Sequence, residues 1–266
     1  TRLPSFEGVA AGNQALIKLP IGLRYHYLYL EYSGVTLAQL TEIRLKANNK
    51  VFQTFSATER DKMNQHKGLA AASGVLVIPL DRIGLKNREQ EELTAVNTNV
   101  PDKNGYAITS FTVEVDIDGA AAAPVLKMTA SQSAAVAGGP GLMLNIYRQS
   151  RAISGDGELE VSDYPYGTVT AQALNAFHLI PSAGSISKVK IERELRAIFE
   201  RDATHNNLIQ ANGVRTPQAG WYSVDPSELG YGGNSIDLRR VQDFRIKMQC
   251  SEAMTVKGIF EYLGAL

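Results

Sequence analysis

The chain has 266 residues, with 27 lysines and arginines and 27 aspartates and glutamates, so its formal net charge is zero. A neutral chain lacks the surplus of basic side chains that binds phosphate backbones, which argues against a nucleic-acid-binding protein. Zero net charge also favours self-association. The single cysteine, Cys250, excludes an intrachain disulfide and a cysteine-based zinc site, and its parity with Ile246 and Met248 predicts a small core residue.

Strand-type alternation dominates the first half of the chain. Apolar and polar residues alternate with a period of two in several short segments, which predicts half-buried β-strands. These segments are ALIKLPIG (15–22), LRYHYLYLEY (23–32), EIRLKAN (42–48), KVFQTFS (50–56), SFTVEVDID (110–118) and 125–130. GVLVIPL (74–80) is instead a continuous apolar run. In SFTVEVDID the residues expected to face inward are Phe111, Val113, Val115 and Ile117. Many short strands between glycine, proline and asparagine predict an all-β sandwich or barrel.

The segment 23–32 is unusual because tyrosines fill one parity of a predicted strand. Tyr25, Tyr27 and Tyr29 alternate with His26, Leu28 and Leu30. The tyrosines could form an aromatic binding strip, His26 could bind a metal, or the segment could be architectural. We expect the two leucines to lie in the core and His26 to be a core or edge histidine with a satisfied partner.

Helical patterns are few and short. SATERDKMNQH (56–66) places Ser56 and Glu59 at the spacing of a capping box. ERELRAIFERDA (192–203) would bring Leu195, Ile198 and Phe199 onto one helical face, so we predict a helix there. NREQEEL (87–93) is charged all round and predicts an exposed helix in a loop. These helices are expected to lie in the loops between strands.

The middle of the chain divides two halves of similar size. The breaker GGPG (138–141) interrupts a small, almost uncharged stretch, and strand patterns resume at LMLNIYRQSRA (142–152). We therefore predict a first domain over residues 1–132, a linker over 133–141 and a second domain over 142–266. Each half has the usual size of one β-sandwich.

The two halves resemble each other in order and spacing. EIRLKANNKVFQTFSATERDKMNQHKG (42–68) can be laid over KVKIERELRAIFERDATHNNLIQANG (188–213). SFTVEVDID likewise matches DFRIKMQCS (243–251), and a final strand follows each, at 125–130 and 255–263. Chance similarity is the alternative, but the order favours two copies of one β fold.

No catalytic or metal-binding constellation emerges from the sequence. The four histidines, His26, His66, His178 and His205, are isolated, whereas a metal-dependent double β-barrel enzyme of the bicupin type would carry paired histidine ligands. The acidic residues of GDGELE, namely Asp156, Glu158 and Glu160, could hold a hard cation weakly or form a solvated acidic face, which we favour. DIDG (116–119) begins like a calcium loop but has Lys127 where the final glutamate belongs. No catalytic residue is predicted.

A basic cluster lies near the end of the chain. RRVQDFRIK (239–247) brings Arg239, Arg240, Arg245 and Lys247 close together in sequence. Because the chain has no net positive charge, the cluster predicts the polar face of a strand rather than a nucleic-acid-binding patch.

Several motifs resemble the major capsid protein of corticovirus-type, membrane-containing icosahedral phages. They are Ala10-Ala11-Gly12-Asn13, IKLPIG (17–22), YSGVT (32–36), VDIDGAAAAPVL (115–126) and QDFRIKMQCSEAMTVKGIFEYLG (242–264). Together they touch both ends and the middle of the chain, whereas 52–104 and 159–233 have no match. The motifs are structural rather than catalytic.

The resemblance implies a double jelly roll, two tandem eight-stranded β-sandwiches with short helices in the loops. It also implies a non-enzymatic homotrimer of pseudo-hexagonal outline that tiles an icosahedral shell over an internal viral membrane. Its partners would be neighbouring trimers, the vertex protein and the membrane, without direct contact to the double-stranded DNA. Such a protein is made in the host cytoplasm and resides in the virion. Particles of this type are associated with calcium, for which no ligand can be assigned here.

If the chain has this fold, the alternating tyrosine side chains of 23–32 are expected to pack between the jelly rolls or between subunits. The alternative function is a tandem β-sandwich that binds carbohydrate through Tyr25, Tyr27, Tyr29 and Trp221. GWYSVDP (220–226) offers Trp221, Tyr222 and Asp225 in the style of a lectin site. A lectin can work as a monomer, whereas a capsid subunit is expected to associate.

Overall fold

The computed structural model describes all 266 residues, and the chain divides into two compact units. Unit 1 comprises Thr1–Tyr147 together with Ala265–Leu266, and unit 2 comprises Arg148–Gly264. None of the helices has the length and the apolar character that crossing a bilayer requires. The two units are described separately below.

Unit 1 contains two β-sheets. Its strands are β1 (Gln14–Leu19), β2 (Leu23–Ser33), β3 (Leu40–Ala47), β4 (Lys50–Phe55), β5 (Val75–Pro79), β6 (Val96–Asn97), β7 (Phe111–Ile117) and β8 (Val125–Ala134). Its helices are α1 (Ala57–His66) and α2 (Arg88–Glu91), with 3-10 turns at Leu37–Gln39 and Glu92–Thr94. One sheet has the order β1-β7-β3-β4. In the other sheet β2 pairs with β8 on one side and with β5 and β6 on the other.

Unit 2 repeats this plan. Its strands are β9 (Met143–Ile153), which begins in unit 1, then β10 (Gly157–Val161), β11 (Ala173–Pro181), β12 (Ile186–Arg193), β13 (Arg196–Asp202), β14 (Tyr222–Val224), β15 (Ile236–Asp237), β16 (Phe244–Cys250) and β17 (Met254–Gly264). Its helix is α3 (Ala203–Gln210), with a 3-10 turn at Gly232–Asn234. The sheets have the orders β10-β16-β12-β13 and β9-β17-β11-β14, and the short β15 pairs with β11.

The two units share one topology. In each, an antiparallel hairpin (β3–β4 or β12–β13) is followed by a helix and pairs through its first strand with the penultimate long strand, β7 or β16. The last strand, β8 or β17, pairs with the equivalent strand of the opposite sheet, β2 or β11. This is the connectivity of a jelly roll, so the fold class predicted from the resemblance is confirmed. The sequence correspondence between the two halves falls on equivalent elements.

The backbone at residues 1–3 completes the second sheet of unit 1. The amide of Leu3 donates to the carbonyl of Met128 over 3.1 Å, and the amide of Ala130 donates to the carbonyl of Thr1 over 2.8 Å. This short bridge lies beside β8, where unit 2 has β9 beside β17. Residues 1–3 therefore take in unit 1 the place that β9 takes in unit 2.

The predicted alternation places the cores correctly. Phe111, Val113, Val115 and Ile117 of β7 are all buried, as are Leu28 and Leu30 of β2. Full burial of one such side chain contributes about 1.5–3 kcal/mol. Cys250 is also buried, as predicted for a small core residue.

The helix predicted over 192–203 is wrong, because this segment is the β12–β13 hairpin. Glu194 and Leu195 form its turn with φ of +51° and +62°, the left-handed conformation of a tight hairpin turn. Both strands pair antiparallel, and β12 pairs with β16 as well. These ladder hydrogen bonds outweigh the helical spacing of Leu195, Ile198 and Phe199. Leu195 is consequently 76% exposed.

The other helix predictions are confirmed. The amide of Glu59 donates to Ser56 Oγ over 3.1 Å and the amide of Ser56 donates to Glu59 Oε2 over 2.8 Å, which completes the capping box of α1. The segment 87–93 forms the exposed α2 and the following 3-10 turn. In unit 2 the helix begins only at Ala203, after Asp202 has accepted the amide of His205 over 2.8 Å.

Residues 135–142, between β8 and β9, contain no helix or strand. Along the chain, the boundary between the two compact units falls between Tyr147 and Arg148, within β9. The finer division into residues 1–132, a linker over 133–141 and residues 142–266 stays a prediction.

Candidate assembly surfaces

His26 is a buried histidine with polar partners on both ring nitrogens. Nδ1 lies 3.0 Å from Asp81 Oδ2, and Nε2 lies 2.8 Å from Ser133 Oγ. Only 8% of His26 and 3% of Asp81 are exposed. The prediction of a satisfied core or edge histidine is confirmed, and no other ligand reaches the ring to make a metal site.

Burial governs the ionisation of this pair. It raises the pKa of Asp81 to about 8, with the Glu92 carboxylate acting in the same direction. It also lowers the pKa of His26, which Arg24 and Arg88 lower further and Glu92 raises. Because the two groups are coupled, they share one proton around neutral pH, whichever atom carries it.

Tyr25 does not share a face with Tyr27 and Tyr29, so the parity assigned to it was wrong. The register between β2 and β8 shifts between Tyr25 and Tyr27, so that His26 is an extra residue in a β-bulge. The bulge turns Tyr25 into the core, where it is fully buried and its ring meets Phe111 edge-on at 5.3 Å. Its hydroxyl donates to the carbonyl of Pro20 over 2.5 Å.

Tyr27 and Tyr29 lie on the outer face of their sheet. Their rings stack with centroids 6.3 Å apart, and both side chains are half-buried. Tyr29 lies opposite Val77 of β5 and Thr129 of β8, and Tyr27 lies opposite Ser131. We call these five residues the tyrosine face; it contains no charged side chain. That this face packs between the jelly rolls or between subunits stays a prediction.

Trp221, Tyr222 and Asp225 do not form a lectin-like site. Asp225 Oδ2 accepts from Arg215 Nε over 2.6 Å, and neither side chain is exposed. The Tyr222 hydroxyl donates to the carbonyl of Arg201 over 2.8 Å. Trp221 is half-buried with its ring 5.5 Å from that of His178. Asp225 therefore cannot reach a sugar bound at Trp221.

Two of the three acidic residues of GDGELE lie on a strand, and Asp156 lies in the bend before it. Glu158 and Glu160 belong to β10, and Glu160 pairs with Arg245 at 2.8 Å and Lys247 at 3.1 Å. The Lys247 ammonium has the largest effect on the Glu160 carboxyl and lowers its pKa, and the Arg245 guanidinium lowers it further. No group of three histidine, cysteine, aspartate or glutamate side chains converges anywhere in the structure. Calcium therefore stays without an assigned ligand.

Arg245 and Lys247 of the basic cluster lie on the polar face of a strand, as predicted, whereas Arg239 and Arg240 lie in a turn before it. Arg245 and Lys247 project from β16 onto Asp243, Glu160 and Glu192. Arg239 pairs with Asp237 at 2.9 Å. The equivalent sheet of unit 1 carries a similar network, in which Arg44 contacts Glu114 at 3.0 Å and Asp116 at 2.7 Å. Acids and bases alternate on both of these sheet faces, so neither face is a basic patch.

The remaining histidines belong to no common site. His66 is buried at the end of α1, and His205 is exposed at the start of α3. His178 is buried on β11, with Nδ1 2.8 Å from Ser223 Oγ and Nε2 3.5 Å from Glu261 Oε1. The structure offers surfaces and buried polar pairs rather than a reaction centre.

Both halves of the chain match models of one protein family. Residues 1–133 match the viral coat protein P2 N-terminal domain, and residues 143–266 match the viral coat protein P2 C-terminal domain. The chain belongs to the viral coat protein P2 family. This coat protein is 26% identical over 273 residues to the major capsid protein P2 of Pseudoalteromonas phage PM2, covering 98% of this chain and 95% of that protein.

Solved structures share the fold over the whole chain. The crystal structure of the PM2 major capsid protein P2 matches with a TM-score of 0.88 and 24% identity, covering 100% of this chain and 96% of that one. The STIV MCP matches with a TM-score of 0.68 and 11% identity over 99% and 95% of the two chains. A PBCV-1 virus capsid chain matches with a TM-score of 0.62 and 8% identity over 99% and 92%.

Sequence reasoning missed the polar residues that tie helices and loops to the strands. Asn64 of α1 and Gln210 of α3 both donate to strand carbonyls, and they occupy corresponding positions in the two matched segments. The correspondence between the halves could have identified them. Arg215 and Asp81 lie in loops without any pattern, so nothing in the sequence indicated their buried partners.

Proposed function

We propose that this coat protein is the major capsid subunit of a tailless, membrane-containing icosahedral double-stranded DNA phage. It acts as a structural protein without enzymatic activity. Three copies form a homotrimer of pseudo-hexagonal outline, and trimers tile the facets of the shell over the internal viral membrane. The chain is made in the host cytoplasm and resides in the virion.

One observation carries the proposal: two jelly rolls of the same strand order fill the chain, and each matches a coat-protein domain. Three copies then supply six similar building blocks, which suits a hexagonal tile. Charge supports it, because a chain with zero net charge and paired surface ions does not repel identical neighbours.

The partners follow from this role. They are neighbouring trimers, other virion proteins including the vertex protein, and the membrane beneath the shell. The paired acids and bases on the outer sheet faces leave no basic patch, so we propose no direct contact with the viral DNA.

Light scattering on a sizing column tests the proposal. The purified chain is expected to have three times the mass of one chain, or to form larger assemblies. A monomer whose mass does not change with concentration would contradict the proposal. In that case glycan binding with and without Trp221→Ala would test the carbohydrate-binding alternative.

A further inference from the structure

The helices α1 and α3 occupy equivalent places in the two jelly rolls. Each follows an equivalent hairpin, β3–β4 or β12–β13. Asn64 Nδ2 of α1 donates to the carbonyl of Val77 in β5 over 2.7 Å. Asn206 Nδ2 of α3 donates to the carbonyl of Ser223 in β14 over 2.7 Å. At the position equivalent to Asn64, counted from the N-cap, α3 has Gln210, whose Nε2 also donates to the Ser223 carbonyl, over 2.9 Å. Both helices are therefore fixed to the next strand by an amide side chain at the same position.

The two helices differ in what covers their other side. In α1, seven of ten residues are buried, whereas in α3 only Asn206 and Gln210 are buried. Six residues after the N-cap, α1 has the half-buried Lys62 and α3 has Leu208, which is 73% exposed. Leu208 is therefore a bare apolar side chain on a helix whose counterpart in unit 1 is mostly covered.

The outer faces of the equivalent sheets also differ in exposure, but here the more exposed face belongs to unit 1. In unit 2, the outer residues of β11 and β17 are Ala176, His178, Ile259 and Glu261, and none is more than 2% exposed. In unit 1, the equivalent strands β2 and β8 carry Tyr27, Tyr29, Thr129 and Ser131, which are all half-buried. Unit 1 thus has a mostly buried helix and a half-buried sheet face, whereas unit 2 has an exposed helix and a fully buried sheet face.

We infer that the tyrosine face of one copy receives the exposed side of α3 from a second copy of this chain. This inference rests on the proposed coat function and assigns the residues of the contact between copies. The exposed side of α3 consists of Thr204, His205, Asn207 and Leu208. Like the tyrosine face, it bears no carboxylate, lysine or arginine, so closing the contact buries no unpaired permanent charge. Leu208 supplies an apolar anchor for the tyrosine rings.

The geometry of this contact fixes the kind of assembly. Two different surfaces meet, so each copy has one tyrosine face to offer and one α3 to insert. A contact of this heterologous type repeats in one direction around a ring and closes when the rotation between copies permits it. A self-complementary contact would instead stop at two copies.

Complementary variants test the contact. Leu208→Asp places a carboxylate on the exposed side of α3 and leaves the tyrosine face unchanged. Tyr29→Asp places one on the tyrosine face and leaves α3 unchanged. At a concentration where the unmodified protein is trimeric, each variant alone is expected to run as a monomer, with association weakened at least a hundredfold. An equimolar mixture is expected to contain a species of two chains, because one intact contact can form between the two variants.

Controls separate folding defects from loss of contact. Val169→Asp introduces the same charge at a residue that is 62% exposed and belongs to neither surface, and it is expected to remain trimeric. Thermal unfolding by circular dichroism verifies that each variant is folded. Thr129→Arg replaces Tyr29→Asp if the latter unfolds, because Thr129 lies on the tyrosine face at an outer position.

Two results would overturn the inference while leaving the coat function intact. One is trimeric mass for both Leu208→Asp and the tyrosine-face variant. The other is two monomeric variants whose mixture contains no two-chain species. Monomeric mass for the unmodified protein would instead contradict the proposed function itself.

Discussion

Arg215 and Asp225 show how a buried ion pair ties loops to a β-sandwich. Arg215 Nε donates to Asp225 Oδ2 over 2.6 Å, and its Nη2 donates to the Ser227 carbonyl over 3.2 Å. Neither charged side chain is exposed to water. Such a pair contributes little by itself relative to apolar residues, but loss of one member leaves an uncompensated buried charge.

Asp225→Ala is therefore expected to destabilise the protein by about 3–5 kcal/mol, measured as a lower midpoint of urea unfolding. Asp237→Ala removes the partner of Arg239 from an exposed pair and is the matched control, with an unchanged midpoint. Equal midpoints for the two variants would show that the buried pair is dispensable.

The His26–Asp81 pair predicts a pH dependence of stability. The pair keeps one proton up to about pH 8, the raised pKa of Asp81. In the unfolded chain, with ordinary pKa values of 3.8 and 6.5, both groups have lost their protons above pH 6.5. Folding therefore takes up a proton between about pH 6.5 and pH 8, so stability falls as the pH rises through this interval.

Asp81→Asn retains a polar partner for the ring but cannot ionise. The urea midpoint of the unmodified protein is expected to fall more steeply between pH 6.5 and pH 8 than that of Asp81→Asn. Parallel profiles for the two proteins would mean that Asp81 is already ionised at neutral pH.

Single residues were predictable where one strand dictates their environment. Leu28 and Leu30 follow from alternation alone, and so does the burial of Cys250. The inward turn of Tyr25 depends on a bulge opposite β8, more than a hundred residues away, which alternation cannot reveal. Asp225 was expected beside Trp221, but its partner Arg215 comes from a separate loop.

At the scale of elements, the two equivalent hairpins use different turn residues. Asn48 and Asn49 join β3 to β4 with φ of +48° and +62°, while Glu194 and Leu195 join β12 to β13 with φ of +51° and +62°. Asparagine enters this left-handed conformation more readily than leucine. The turn of unit 2 therefore carries backbone strain that the turn of unit 1 avoids.

Leu195→Gly is expected to stabilise the protein by about 1 kcal/mol, because glycine adopts the left-handed conformation without a Cβ clash and Leu195 packs against little. The converse change, Asn49→Leu, is expected to destabilise it by a similar amount. Urea midpoints of both variants check the pair. Two shifts of the same sign would show that the turn conformation does not determine the effect.

Elements were predicted well where their hydrogen bonds are local or their alternation is clean. The capping box of α1 and the strand β7 are both of this kind. The helix predicted over 192–203 failed because Leu195, Ile198 and Phe199 fit a helical period, while the pairing of β12 with β16 links residues about 60 positions apart. No local pattern contains that information.

At the scale of the whole molecule, charge is balanced locally as well as in sum. Arg44, Glu114 and Asp116 in one unit and Glu160, Arg245 and Lys247 in the other neutralise each other across neighbouring strands. Every one of these carboxylates has a basic partner. No three histidine, cysteine, aspartate or glutamate side chains converge to hold a metal ion.

Chelation with EDTA is therefore expected to change neither the melting temperature nor the light-scattering mass of the purified protein. Added calcium serves as the reciprocal measurement and is expected to have no effect. A lower mass after chelation would place calcium ligands between chains rather than within one.

The bridge between residues 1–3 and β8 has a consequence for synthesis. Leu3 and Met128 cannot pair until the ribosome has added the roughly 125 residues that separate them, which takes roughly 6 to 25 s at 5–20 residues per second. Until then the edge of β2 that β8 will occupy remains open to strands of other nascent chains. Slower translation would lengthen this interval, so the yield of folded coat protein depends on how quickly its first half is translated.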